Sequence, residues 1–345
     1  MIFRSGCTVL DLALGGGFRS GTIINLNGIE MSGKTLLTTE IIFNALKDYK
    51  NKIKYHFDDA ERKYGFITKK IYDGFDIILP PPSWTIEDFD DNFCKFVRKN
   101  KNAEALIYIL DSLDSVPSEQ EIARAEKNAK VRKKVKEVIS SEETESDDIK
   151  IEKSYELEKQ KAIGRFFRMK VKEVRDYNCA LFIVSQARMN VGVKFGPTYR
   201  RNGGKALDHH AGQIVWLKEV EKYGLPGWYS GVCIHAKVSK NDFGKPFREC
   251  YFDIVYDLGI DNVASNLYFL YDYKTKLGKT KKNMLDWDGT EYSLKDLILH
   301  IEKNNLEEKL NQRVIEKWNF IEDEISPKNR KLKSVSMEEK CIKNV

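Results

Sequence analysis

The sequence predicts an α/β domain with a mainly parallel sheet and helices on both faces, and three observations carry that prediction. Short apolar runs alternate with longer segments of helical period from residue 20 to about 220. Most of these runs lack polar alternation, as strands buried on both faces do. A glycine-containing turn separates the first run from the first long helical segment, the strand, turn, helix order of an α/β unit.

The runs are TIINLN (22–27), KIKYHF (52–57), DIIL (76–79), ALIYIL (105–110), ALFIVS (180–185) and QIVWL (213–217). A helix is expected over Lys34–Tyr49. A second is expected over Thr85–Lys99, after Pro80, Pro81 and Pro82, with Thr85 as N-cap and Asp88 three residues on. Residues 154–175 place Ile163, Phe166, Phe167, Val171 and Val174 on one helical face. GVCIHAKVSK (231–240) and RECYFDIVY (248–256), joined by NDFGKP, read as a hairpin added at one sheet edge. The expected organisation is a core over 1–260, a small carboxy-terminal α+β domain over 261–325 and a flexible tail over 326–345. The small domain carries a WDGT turn at 287–290 and helical runs at 293–303 and 306–321. Within the core, 119–153 holds a basic block (Arg124 to Lys136) and then an acidic one (Glu142 to Asp148), expected as a solvated helix tip and a disordered insertion.

At 345 residues and 41% hydrophobic content the chain has material for a real core. Its net charge of +6 permits a polyanionic partner without requiring one. Cys7, Cys94, Cys179, Cys233, Cys250 and Cys341 are scattered and form no CxxC pair, which suits a reducing cytoplasm. No apolar run is long enough to span a membrane, and the first residues do not have the pattern of a secretory signal. His209 and His210 have no third ligand at suitable spacing and read as the start of a helix.

Gly28, Ile29, Glu30, Met31, Ser32, Gly33, Lys34 and Thr35 match GxxxxGK[ST] between an expected strand and an expected helix. In such a loop successive N–H groups turn toward phosphate oxygens, the lysine reaches the outer phosphates and the threonine hydroxyl serves Mg²⁺. ATP and Mg²⁺ are therefore the expected cofactors. Asp111, at the end of ALIYIL, is the expected carboxylate on the metal side. Glu61, after KIKYHF and within DDAE, is the candidate base for the attacking water.

The order GIEMSGKT, DDAE, YILDS, LFIVSQARMNVGVKFG and NGGKAL resembles the RecA recombinases, over about Ser5 to Tyr256. The resemblance implies a RecA-like ATPase core that binds single-stranded DNA, and duplex DNA during strand exchange. Gln186 would sense the γ-phosphate, and Lys240 would reach the ATP of a neighbouring subunit. Tyr64 is nearest to the expected base-stacking position. Ala187–Gly204 corresponds to a DNA-binding loop. Its expected contacts are Arg188, Met189, Lys194, Phe195, Arg200, Arg201, Gly203 and Gly204, with Lys205 just beyond. Cations would serve phosphates and apolar side chains would serve bases. The family's other DNA loop would fall between Asp111 and the Ile163 helix, where the charged insertion prevents residue-by-residue matching.

Asp242 stands where the family has its second cross-subunit lysine, and Lys245 is the candidate substitute. The implied function is recombination and repair by a DNA-dependent ATPase, assembled as a helical filament in preference to a ring. The alternatives are a ring-forming helicase or loader of the same fold, and a slow nucleotide-switched DNA-binding protein.

Overall fold

Strand β3 (Thr22–Gly28) lies in the middle of the main sheet, and every one of its residues is buried. The computed structural model describes residues 1–64, 71–72, 75–127, 145–189, 199–201, 204–272 and 284–327, without the side chains of 145–158, 188–189, 199–201 and 204–205. Short strands β1 (Ile2–Phe3) and β2 (Phe18–Arg19) pair with each other and flank helix α1 (Thr8–Ala13). The main sheet also contains β4 (Ile53–Asp59), β5 (Ala105–Asp111), β6 (Cys179–Met189), β8 (Ala211–Leu225), β9 (Trp228–Asn241), β10 (Glu249–Val255) and β11 (Gly259–Asp261), in the order β11-β10-β9-β8-β3-β6-β5-β4. From β8 to β4 the strands run parallel; β9, β10 and β11 are antiparallel additions.

Alternate residues of one strand feed two cores, which explains the unbroken apolar runs. Ala105, Ile107 and Ile109 join one buried cluster, whereas Leu106, Tyr108 and Leu110 join the other. Helix α2 (Lys34–Tyr49) covers the first face through Leu37, Ile41, Ile42 and Ala45. Helix α3 (Ile86–Lys99) covers the second through Phe89, Phe93 and Val97. Its amino end is a capping box: Asp88 N–H donates to Thr85 Oγ1 at 3.0 Å and Thr85 N–H to Asp88 Oδ2 at 3.2 Å. The long helix α4 (Glu145–Asp176) adds Ile163, Phe166, Phe167 and Val174 to the same face. Its first turns take in Glu145–Lys153, so the end of the acidic block is helical backbone rather than disordered chain.

Three further expectations change. DIIL (76–79) joins no strand ladder among the described residues; Ile77 is buried while Ile78 and Leu79 are exposed. The prolines at 80–82 that follow supply no N–H with which to continue a strand. Buried Asp58 instead anchors this stretch: it accepts Ser83 N–H at 2.8 Å and the Tyr108 hydroxyl at 2.9 Å. β8 runs eight residues past the expected QIVWL, because β9 pairs with it along its whole length. His209 and His210 end helix α5 (Gly204–His210) instead of starting one.

Beyond β11, helix α6 (Asn262–Leu270) leads to the β12 (Leu285–Trp287) and β13 (Thr290–Tyr292) hairpin, then α7 (Leu294–Lys303) and α8 (Glu307–Ile325). Asp288 and Gly289 have φ of 53° and 81°, the two left-handed positions of a tight hairpin turn. Leu285, Trp287, Leu297, Ile301, Leu310 and Val314 belong to the same buried cluster as the α2 face of the sheet. Among the described residues no helix is long and apolar enough to cross a membrane.

Candidate nucleotide site and the hairpin beside it

The loop from Gly28 to Gly33 leaves β3 and turns into α2. Gly33 has φ +78°, and a Cβ there would lie 2.2 Å from Ile254 Cδ1. At Gly28 a Cβ would lie 2.5 Å from the Leu217 carbonyl oxygen. Glycine is thus required at both ends of the loop, by φ and contact at one and by contact at the other. Lys34 is buried; its ammonium donates to the carbonyls of Ile29 at 2.6 Å and Gly28 at 3.0 Å. Burial pulls its pKa down, against the pull of Asp111 and Glu61 in the other direction.

Thr35 Oγ1 donates to Asp111 Oδ2 at 2.5 Å, so the two residues expected on the metal side are brought together by the start of α2 and the end of β5. Asp111 is buried, and burial pushes its pKa up to about 6 while the Thr35 hydroxyl draws it back. A hydroxyl and a carboxylate side by side are hard oxygen donors of the kind Mg²⁺ takes.

Glu61 sits across the cleft, with its backbone N–H on the Asp111 carbonyl at 3.1 Å. Gln186 Nε2 donates to Glu61 Oε1 at 2.7 Å, the Ser112 hydroxyl donates to the same oxygen, and Lys63 lies 3.0 Å from Oε2. Burial favours the neutral acid, but the Ser112, Lys63 and Gln186 donors outweigh it and hold the carboxyl below its ordinary range. The Gln186 N–H in turn donates to Asp114 Oδ2 at 2.7 Å.

Glu30, Met31, Ser32, Gly33, Lys34, Thr35, Glu61, Tyr64, Asp111 and Gln186 line one cleft of about 380 Å³. Tyr64 reaches it with its ring packed 5.3 Å from that of Phe57. Ile29 contributes its carbonyl to Lys34, and Gly28 sits one residue deeper, in β3. Lys240 is elsewhere: it lies on β9 and donates to the carbonyls of Asp208 and His209 at 3.1 and 3.3 Å, with Asp242 at 3.7 Å. Lys245, the candidate substitute, is bound 2.7 Å from Glu322 of α8 in its own chain.

Past Gln186, β6 continues to Met189 and pairs antiparallel with β7 (Tyr199–Arg201), Ala187 opposite Arg201 and Arg188 opposite Arg200. The described ends of the expected DNA-binding loop thus pair as two antiparallel strands. Lys194, Phe195 and Gly203 lie outside the described residues, as do the side chains of Arg188, Met189, Arg200, Arg201 and Lys205; Gly204 opens α5.

Sequence reasoning missed Ser112, Lys63 and Asp114, which hold Glu61 and Gln186, and Ile254 and Tyr256, which wall the cleft from β10 and just beyond. Ser112 and Asp114 were within reach as the polar residues that follow Asp111 in LDSLDS. Ile254 carries no signal beyond its apolarity.

The family model for the RecA N-terminal domain matches residues 131–261. The mitochondrial DNA repair protein recA homolog of Dictyostelium discoideum is 26% identical over 308 residues, covering 86% of this chain and 58% of that protein. Protein RecA of Paracoccus denitrificans is 27% identical over 85% of this chain and 71% of its own length. Protein RecA of Haemophilus ducreyi is 25% identical over 92% and 83%. The chain thus spans between 58% and 83% of the length of these relatives.

Proposed function

We propose that the chain is a RecA-type DNA-dependent ATPase that binds single-stranded DNA and promotes strand exchange in recombination and repair, a reading supported by its similarity to the RecA N-terminal domain over residues 131–261 and to RecA proteins over most of its length. The observation that carries this reading is the 2.7 Å bond from Gln186 to Glu61, made by the strand that continues directly into the β6–β7 hairpin. A change at the outermost phosphate, felt at Glu61 and Gln186, has only one strand to travel to reach the hairpin stem at Ala187.

ATP takes the cleft at the loop, with the loop's N–H groups and Lys34 on its phosphates. Thr35 and Asp111 hold Mg²⁺, which supplies charge neutralisation on the phosphate oxygens. Glu61 orients the attacking water and accepts its proton; the Ser112 and Lys63 contacts keep the carboxyl ionised and aimed. Tyr64 borders the base. Arg188, Lys194, Arg200 and Arg201 of the Ala187–Gly204 segment, with Lys205 just beyond it, take DNA phosphates, and Met189 and Phe195 take bases, with Gly203 and Gly204 admitting the strand closely. Lys240 reaches the ATP of a neighbouring subunit in a helical filament, whereas Lys245 is already committed to Glu322. A cytoplasmic location accords with this work on DNA.

The test is ATP hydrolysis with and without single-stranded DNA, together with electron micrographs in a non-hydrolysable analogue. DNA should raise turnover, and the protein should form helical filaments; an unchanged rate overturns the reading. Lys34→Ala should abolish turnover. The Asp242 carboxylate beside Lys240 favours one second reading, a slow nucleotide-switched binder. It would show DNA affinity that depends on nucleotide but turnover that DNA leaves unchanged.

A further inference from the structure

At the free edge of the main sheet, remote from the loop end of β3, α2, β4 and α3 surround a cleft of about 510 Å³. Lys50, Lys54, Lys95 and Lys99 line it, and no Asp or Glu does. None of the four lysines has an ion pair or side-chain hydrogen bond among the described residues. Some other surface lysines are ion-paired: Lys52 with Glu104 at 3.2 Å, Lys237 with Glu249 at 2.8 Å and Lys309 with Asp288 at 2.6 Å.

Ordinary structural needs account for only part of this. Lys50 and Lys99 stand at the carboxy ends of α2 and α3, where the helix dipole welcomes a cation. Lys54 on the strand and Lys95 further inside α3 have no carbonyl end to complement. Four like charges around one concavity repel one another, and the repulsion is relieved by an anion seated between them. β4 is the last strand of the sheet among the described residues, so the cleft lies at the sheet's edge. Tyr55 and Phe96 add ring surface to the wall.

We propose that this cleft is a second anion site that binds a chain of phosphate groups, separate from the nucleotide site and not required for hydrolysis. The phosphates belong either to a free nucleoside polyphosphate or to a nucleic-acid backbone. A lone monovalent anion would leave most of the four charges unmatched. The inference does not depend on the reading of Glu61, Gln186 or the hairpin.

The experiment is calorimetric titration of inorganic tripolyphosphate into the Lys34→Ala protein, which removes the loop lysine, and into the same protein carrying Lys54→Glu and Lys95→Glu. Saturable binding should persist in the first and weaken at least tenfold in the second. Lys54→Gln with Lys95→Gln should fall between them, and a matched melting temperature would show that the fold is intact. In the otherwise wild-type chain the Glu pair should leave DNA-free ATP turnover unchanged. Competition then identifies the source: displacement by a mixed-sequence oligonucleotide at lower phosphate concentration than by ATP assigns a nucleic-acid backbone, and the reverse order a free nucleotide. Equal tripolyphosphate binding with and without Lys54 and Lys95, or no binding once Lys34 is removed, overturns the proposal.

Discussion

Gln186 Nε2 lies 2.7 Å from Glu61 Oε1, so two residues 125 positions apart in the chain share one hydrogen bond across the mouth of the nucleotide cleft. Replacing Gln186 with Ala removes the bond but leaves Ser112 and Lys63 on the carboxylate. We expect basal hydrolysis to stay within about threefold and DNA stimulation to fall by about tenfold or more, the size of a typical coupling free energy. Phosphate release measured with and without single-stranded DNA checks it, and equal losses in both would refute the coupling.

Glu61→Gln keeps the shape and the contact with Ser112 but cannot accept a proton. Turnover should drop by about 10²- to 10⁴-fold, the usual contribution of a positioned base. Nucleotide affinity, read by a fluorescent ATP analogue, should hardly change.

Gly33→Ala meets two obstacles at once, a left-handed φ of +78° and Ile254 Cδ1 at 2.2 Å from the new methyl. Loss of nucleotide binding should accompany a destabilisation of about 1–3 kcal/mol. Adding Ile254→Ala should recover some stability by clearing the contact, while the φ penalty remains. Denaturant midpoints of the single and double variants would separate the two causes.

Asp253 on β10 is buried, and burial pushes its carboxyl up to about 6, although the hydroxyls of Tyr223, at 2.7 Å, and Tyr268 pull the other way. The folded protein therefore holds this proton more tightly than the unfolded chain does. The sign follows: the group costs nothing below pH 4, and stability is lost as pH rises from about 4 through 6. The loss is on the order of 3 kcal/mol, at about 1.4 kcal/mol per pKa unit. Asp253→Asn keeps an acceptor for Tyr223 and removes the titration. Its melting temperature should fall less between pH 4.5 and 7.5 than that of the parent; parallel curves would exclude Asp253 as a source of pH dependence.

Several features were legible because their cause is local. The α2 boundaries at Lys34 and Tyr49 and the Thr85–Asp88 capping box follow from turn chemistry and hydrogen bonds between near neighbours in the chain. The pairing of Thr35 with Asp111 was legible for a different reason, since a phosphate loop requires a carboxylate at the end of an adjacent strand. DIIL misled because apolar β-branched residues describe a strand's sides, whereas membership of a ladder also needs backbone donors on the next few residues. The strand pairing at Ala187–Met189 was hidden because its partner, Tyr199–Arg201, stands about ten residues further along the chain.

The sequence by itself determined the order of strands and helices, the phosphate loop and the identity of the charged residues near it, since periodicity, capping and glycine placement act over a few residues. Tertiary structure alone decided that Ser112 and Gln186 converge on Glu61, that Lys245 is bound to Glu322, and that four lysines with no ion pair among the described residues face one cleft. Such contacts join residues tens to more than a hundred positions apart. Strand register and helix docking set those distances, and no short window of sequence contains them.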